Sequence, residues 1–162
     1  HSSAASDVYK RQNKSCQCSS YAVKRYRSKI SGPLLDRIDM HVQVSPIPLI
    51  QLQSKREQES SSKIKKRVLS ARHVQESRFS GSKQVSWNSN LSPLQIKSFC
   101  SLPKDASQLL ENAMEKLNLS ARSYHRILKV SRTIADLDGS IDIFSNHIAE
   151  AIHYRCLDRE NL

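Results

Sequence analysis

Over the second half of this chain, apolar residues recur three and four positions apart, the spacing of amphipathic helices, and capping residues fill the gaps. From Ser60 or Ser62, a good N-cap, Ile64, Val68 and Ala71 predict a helix to about Glu76. Ser92-Pro93 supplies an N-cap with proline in the first turn and opens a short helix carrying Leu94, Ile96 and Phe99. Pro103 opens the next, with Ala106, Leu109, Leu110, Ala113 and Leu117 on one stripe. Ser120 caps a fourth, whose face is Tyr124, Ile127, Leu128, Ile134 and Ala135 and which Gly139 ends. A fifth, from about Asn146, buries Ile148, Ala151 and Ile152. Short links between these helices imply a compact bundle. Upstream the period changes: Ile38, Met40, Val42 and Val44 alternate with Asp39, His41, Gln43 and Ser45, the mark of a half-buried strand that Pro46 and Pro48 end. Lys24 to Ile30, with two basic clusters around Tyr26, could be a short helix, residues 51–61 read as a linker, and Phe79 to Asn90 reads as an irregular loop. The expected fold class is mainly α, one or two strands followed by about five helices.

Charge adds a partner to this picture. Lys and Arg number 26 against 15 acidic residues, a formal charge of +11, which suits a polyanion such as DNA but also suits a solvated surface. Six cations, Lys63, Lys65, Lys66, Arg67, Arg72 and Arg78, make the first bundle helix the most basic. No apolar run approaches the length of a membrane span, so a soluble, cytoplasmic protein without a membrane partner is expected. Cys100 and Cys156 lie in apolar helical contexts and read as buried reduced thiols. Cys16-Gln17-Cys18 could supply half a zinc site or be a pair of surface thiols, and no ordered metal is expected. His125, His147 and His153 lack ligand spacing and read as core or surface residues. Trp87 could stack on a base beside Lys83 or plug its loop against the bundle.

The candidate chemistry sits just before the expected strand. In Ser31-Gly32-Pro33-Leu34-Leu35-Asp36-Arg37-Ile38-Asp39, Gly32-Pro33 breaks the preceding segment and Leu34 and Leu35 can anchor a turn. Arg37 then stands between two anchored elements. An arginine held this way can reach a transferring γ-phosphate and stabilise its developing charge, or it can pair with Asp36 or Asp39 and trim a strand edge. Spacing alone leaves both open.

The tract SGPLLDRIDMHVQV resembles the segment that closes the ATPase core in the Mg-chelatase-like AAA+ family, in its ComM (competence protein) branch. A second tract, Leu119 to Gly139, continuing into His147 to Arg155, resembles the far C-terminal signature of the same family. The resemblance implies a C-terminal remnant of an α/β AAA+ core at residues 13–50, a linker at 51–61 and a helical lid domain at 62–162. It further implies a ring, usually a hexamer, that uses ATP and Mg²⁺ to move on DNA during recombination. Arg37 would be an arginine finger acting in trans on a neighbour's γ-phosphate, Arg122 a nucleotide-sensing arginine of the lid, and Lys63, Lys65, Lys66, Arg67 and Arg72 a DNA-facing set. Family members also carry a second cysteine pair upstream of the one at Cys16 and Cys18.

Two expectations limit what these residues do alone. With three glycines in 162 residues, no G-x-x-x-x-G-K-[ST] phosphate loop can be written, so this sequence should not hydrolyse ATP by itself and should hold no cofactor. Residues 2–12 look like an in-frame translation of a transposase-end adapter, so residues 1–12 are set apart as a non-native tail. Arg126 and Arg132 are expected as surface or inter-subunit charges. Two rivals remain: a Mg-chelatase motor subunit that drives metal insertion into a porphyrin, and a non-enzymatic basic helical DNA-binding module.

Overall fold

A computed structural model describes residues 18–42, 44, 59–81 and 86–155 of the chain, and these fall into two units. The first contains α1 (Ser20–Arg27), capped by the Ser19 side chain on the Ala22 N–H and strongly exposed at Tyr21 and Tyr26. The second runs from Pro33 to Val42 and resumes before α3. It holds most of α2 (Gly32–Leu35), then α3 (Ser61–Phe79), a single 3-10 turn (Asn88–Asn90), α4 (Pro93–Phe99), α5 (Lys104–Lys116), α6 (Ala121–Leu137) and α7 (Ser145–His153). The mainly α expectation holds, and the five helices from α3 onward match the expected bundle. The proposed tail at residues 1–12 lies outside the described residues, as do Cys16, Lys83 and Cys156.

Helix α6 is the axis of the bundle. Its apolar face, Ile127, Leu128, Ile134 and Ala135, packs with Leu110 of α5 and with Ile148, Ala151 and Ile152 of α7, all at most 8% exposed. Each start follows its cap. Ser60 and Ser120 accept from the backbone N–H three residues on, and Ser92 with Gln95 forms a reciprocal capping box. Gly139 sits at φ +70°, the left-handed conformation that ends α6, and Ser140 N–H closes the end on the Ala135 carbonyl at 2.8 Å. Before α7, His147 Nδ1 accepts the Phe144 N–H at 3.0 Å and its Nε2–H reaches Asp138 at 3.2 Å. Buried His147 is therefore a capping residue.

Only the second half of α3 joins the bundle. Ala71, Gln75 and Phe79 are buried, and the Phe79 ring meets Phe99 edge to face at 5.2 Å. Residues 61–70 are exposed around the whole helix, Ile64, Val68 and Leu69 included. The expected loop from Phe79 is thus shorter, because Phe79 is the last anchor of the helix. Trp87 is half-buried under the Arg72 guanidinium, 4.0 Å from the ring centroid.

A buried ion network ties α3 to α6. Arg78 grips the Asp136 carboxylate with two nitrogens, and Asn88 Nδ2 donates to the same group at 2.7 Å. Arg132, 3% exposed, adds Nε at 3.2 Å from Asp136 and caps the Ser140 and Ile141 carbonyls at 2.7 Å. Arg132 is therefore not a surface charge. It lies on the apolar face between Leu128 and Ala135, where the end of α6 gives its guanidinium acceptors.

The strand expected over Ile38 to Val44 does not form, and no strand occurs among the described residues. Ile38, Met40 and Val42 face outward at 39%, 43% and 66% exposure while His41 is buried. A strand needs a neighbour for its backbone groups. None is present among the described residues, and the His41 N–H donates instead to the Tyr154 carbonyl at 2.6 Å.

Two stability predictions follow from this core. Asp136→Ala leaves buried Arg132 and partly buried Arg78 without their carboxylate, so urea denaturation should show a loss of about 3–5 kcal/mol, and Asp136→Asn a smaller one. Burial pushes the Cys100 thiol from 9.0 up to about 11. The unfolded chain ionises this thiol first as pH rises, so the folded state loses stability from pH 9 towards pH 11. Denaturation across that window should show a smaller loss in Cys100→Ala than in the unaltered chain.

Candidate functional site

The turn carrying Arg37 is fastened to the lid helices through its neighbours. Ser123 Oγ, in the first turn of α6, donates to Asp36 Oδ1 at 3.2 Å. Arg155, just past α7 and with no exposed surface, places Nη2 3.0 Å from Ser123 Oγ and 3.9 Å from Asp36 Oδ1, while Nη1 donates to the Ile38 carbonyl. Arg126 pairs with Asp39 one helical turn further along α6. Within the turn, Arg37 N–H reaches the Leu34 carbonyl and Ile38 N–H the Leu35 carbonyl, both at 3.0 Å, with Leu35 buried beneath.

These contacts engage the acids on either side of Arg37. Asp36 is committed to Ser123 and Arg155, and Asp39 to Arg126, so neither acid neutralises Arg37. Its guanidinium is exposed and makes no hydrogen bond or ion pair among the described residues. Arg122 is likewise exposed in the first turn of α6, next to Ser123. The two arginines therefore flank one hydrogen bond, Ser123 to Asp36, at the positive end of a helix. Each exposed guanidinium offers an anion a planar fork of donors.

Of Arg122, Arg126 and Lys129 on α6, only Arg122 makes no hydrogen bond or ion pair among the described residues. Arg126 is held by Asp39, and Lys129 Nζ donates to the Ser89 carbonyl at 2.8 Å, its desolvation lowering its pKa. Below them a pocket of about 240 Å³ includes Asp39, Met40, Lys129, Leu137 and Tyr154 in its lining.

Lys63, Lys65, Lys66, Arg67 and Arg72 of α3 are exposed, but they do not form one stripe. At about 100° per residue, Lys65 and Arg72 share one side and Lys63 and Lys66 the opposite side. Arg67 pairs with Glu59 at 2.9 Å, and Arg72 lies over Trp87. The helix is basic all round. Cys18 is exposed, and among the described residues no group of three or more His, Cys, Asp or Glu side chains could hold a metal ion. Among the same residues no helix is long and apolar enough to cross a membrane.

Sequence reasoning missed Arg155, Ser123 and Arg78 as structural partners. One signal was available for Arg155: it continues the α7 stripe of Ile148, Ala151 and Ile152 by three positions, and a charge on an apolar stripe needs buried partners.

The family model described as magnesium chelatase, subunit ChlI C-terminal, matches residues 58–155, and the model described as magnesium chelatase, subunit ChlI, matches residues 2–52. Competence protein ComM of Haemophilus influenzae is 41% identical over 138 residues, 85% of this chain and 26% of that protein. The uncharacterized protein YifB of Escherichia coli is 39% identical over 145 residues, and YifB of Salmonella typhimurium 38% over 144, each match covering 88% of this chain and 28% of the relative. The chain thus spans about a quarter of the length of these relatives. With the C-terminal family model covering more than half of it, the chain belongs to the magnesium chelatase family and is similar there to ComM-type proteins.

Proposed function

We propose that this chain is the lid end of a ring-forming ATPase of the ComM type, one that couples ATP hydrolysis to movement on DNA in recombination. The observation that carries the proposal is the state of Arg37: both adjacent acids are engaged elsewhere, and the guanidinium is left exposed on a fastened turn. In a ring of complete subunits, Arg37 acts in trans, donating to the γ-phosphate of ATP held by the neighbour. Charge builds on the transferring phosphoryl oxygens as the bond to the leaving group breaks, and a fixed cation stabilises that charge without reorganising. Arg122 senses the nucleotide from the lid. Both arginines stand beside the Ser123–Asp36 contact, so a movement of α6 displaces them together.

The phosphate loop required for ATP binding is not written in this sequence, so hydrolysis belongs to the complete polypeptide. Mg²⁺ would neutralise the substrate phosphates there, and no step assigned to this chain runs through it. DNA as the track is supported by the formal charge of +11 and by the exposed lysines Lys63, Lys65 and Lys66 on α3. A chelatase motor shares the family model and predicts turnover that ignores DNA.

In the complete polypeptide, Arg37→Ala is expected to lower ATP hydrolysis by about 10³-fold or more while fluorescent-nucleotide binding persists; wild-type turnover in the mutant ring would remove the finger role. Arg122→Ala should bind ATP but weaken the dependence of ring assembly on nucleotide. For the track, a labelled oligonucleotide titrated with this chain should bind more weakly as salt rises, and replacing Lys63, Lys65 and Lys66 by Ala should flatten the log–log slope by about 2–3. A chain that ignores DNA at low salt would exclude both the DNA role of α3 and the simple binding-module alternative.

A further inference from the structure

We infer that Arg155 and Ser123 are positioning residues for Arg37, so that the end of α7 sets the direction in which the finger points. This rests on the finger reading above. A fully buried guanidinium must find partners, because desolvating it is costly. Those of Arg155 bracket Arg37: the carboxylate of Asp36 on one side and the carbonyl of Ile38 on the other. The Arg37 guanidinium makes no hydrogen bond or ion pair among the described residues.

A residue held at both chain neighbours has its backbone angles and its Cα–Cβ direction fixed, while its side chain stays extended and available. The turn's two 3.0 Å hydrogen bonds secure the same residue from below. Ser123 completes the clamp by donating to Asp36 while accepting from Arg155 Nη2 at 3.0 Å. The geometry needs a fork. Nη1 reaches Ile38 and Nη2 reaches Ser123, two separated acceptors that a single lysine ammonium cannot serve in the same way.

The decisive experiment is a double-mutant cycle in the complete polypeptide. Arg155→Lys keeps the charge and loses the fork. It should lower hydrolysis by about 10²-fold, the usual effect of a misplacement of about 1 Å, with nucleotide affinity within about twofold. Combined with Arg37→Ala it should cost nothing further, because a misdirected finger and an absent one fail at the same step. A merely structural residue would instead multiply the two losses. Asp36→Asn is a second, gentler variant at a partly exposed position; it keeps the shape and removes the charge facing Arg155, and should lower hydrolysis about tenfold with the same non-additivity. On the present chain, amide exchange at Arg37, Ile38 and His41 should quicken about tenfold in Arg155→Lys while exchange at Leu128 and Ile134 is unchanged. Multiplied losses, full turnover in Arg155→Lys, or equal acceleration at both sets of amides would overturn the inference and leave the finger standing. Full turnover in Arg37→Ala would overturn the finger itself and the inference with it.

Discussion

The carboxylate of Asp136, sealed from solvent in the middle of the bundle, receives two guanidiniums and an amide, and it ties α3 and the Asn88 turn to α6. Two cations on one anion leave an excess of positive charge in the interior, which the surroundings must absorb. The Ser140 and Ile141 carbonyls do so, at the end of α6 where the helix dipole is negative. The network also fixes α3, whose apolar attachment is otherwise only Ala71 and Phe79 beside Gln75. Arg78 thus orients a helix that hydrophobic contact alone would hold loosely.

Much of this bundle was legible from spacing. The serine caps at 60, 92 and 120, the stripe on α6 and the glycine at 139 each name a local chemistry with few alternatives, and the helices begin and end where that chemistry places them. What resisted reading was polar burial. Arg132, Asp136 and Arg155 lie on apolar stripes, and a stripe shows that a residue is inside without showing who meets it. The strand from Ile38 failed for another reason. Its alternation is genuine, but alternation describes a surface that a sheet would cover, and a sheet is a property of several segments together.

The candidate site shows the same division. Its exposed arginines, Arg37 and Arg122, were found from motif resemblance; that they flank one hydrogen bond comes from contacts 87 residues apart in the chain. Residues 33–42, which resemblance alone assigned to a separate core, cluster in one compact unit with the helical bundle. The turn carrying Arg37 and the helices from α3 onward consequently belong to one compact unit.

The first half of α3 stands apart from this rigidity. For residues 61–70 the helix touches water on every side, and its stability there comes from backbone hydrogen bonds, the Ser60 cap and one exposed ion pair at Arg67. A helix segment of that length is marginal in isolation, and four cations without an acid among residues 61–70 repel one another. Its helicity is therefore tunable by ionic strength: screening the lysines or neutralising them with a polyanion winds the segment, and dilute buffer frays it back towards Ala71. The same residues that would meet a nucleic acid thus make the helix itself a gauge of whether one is there.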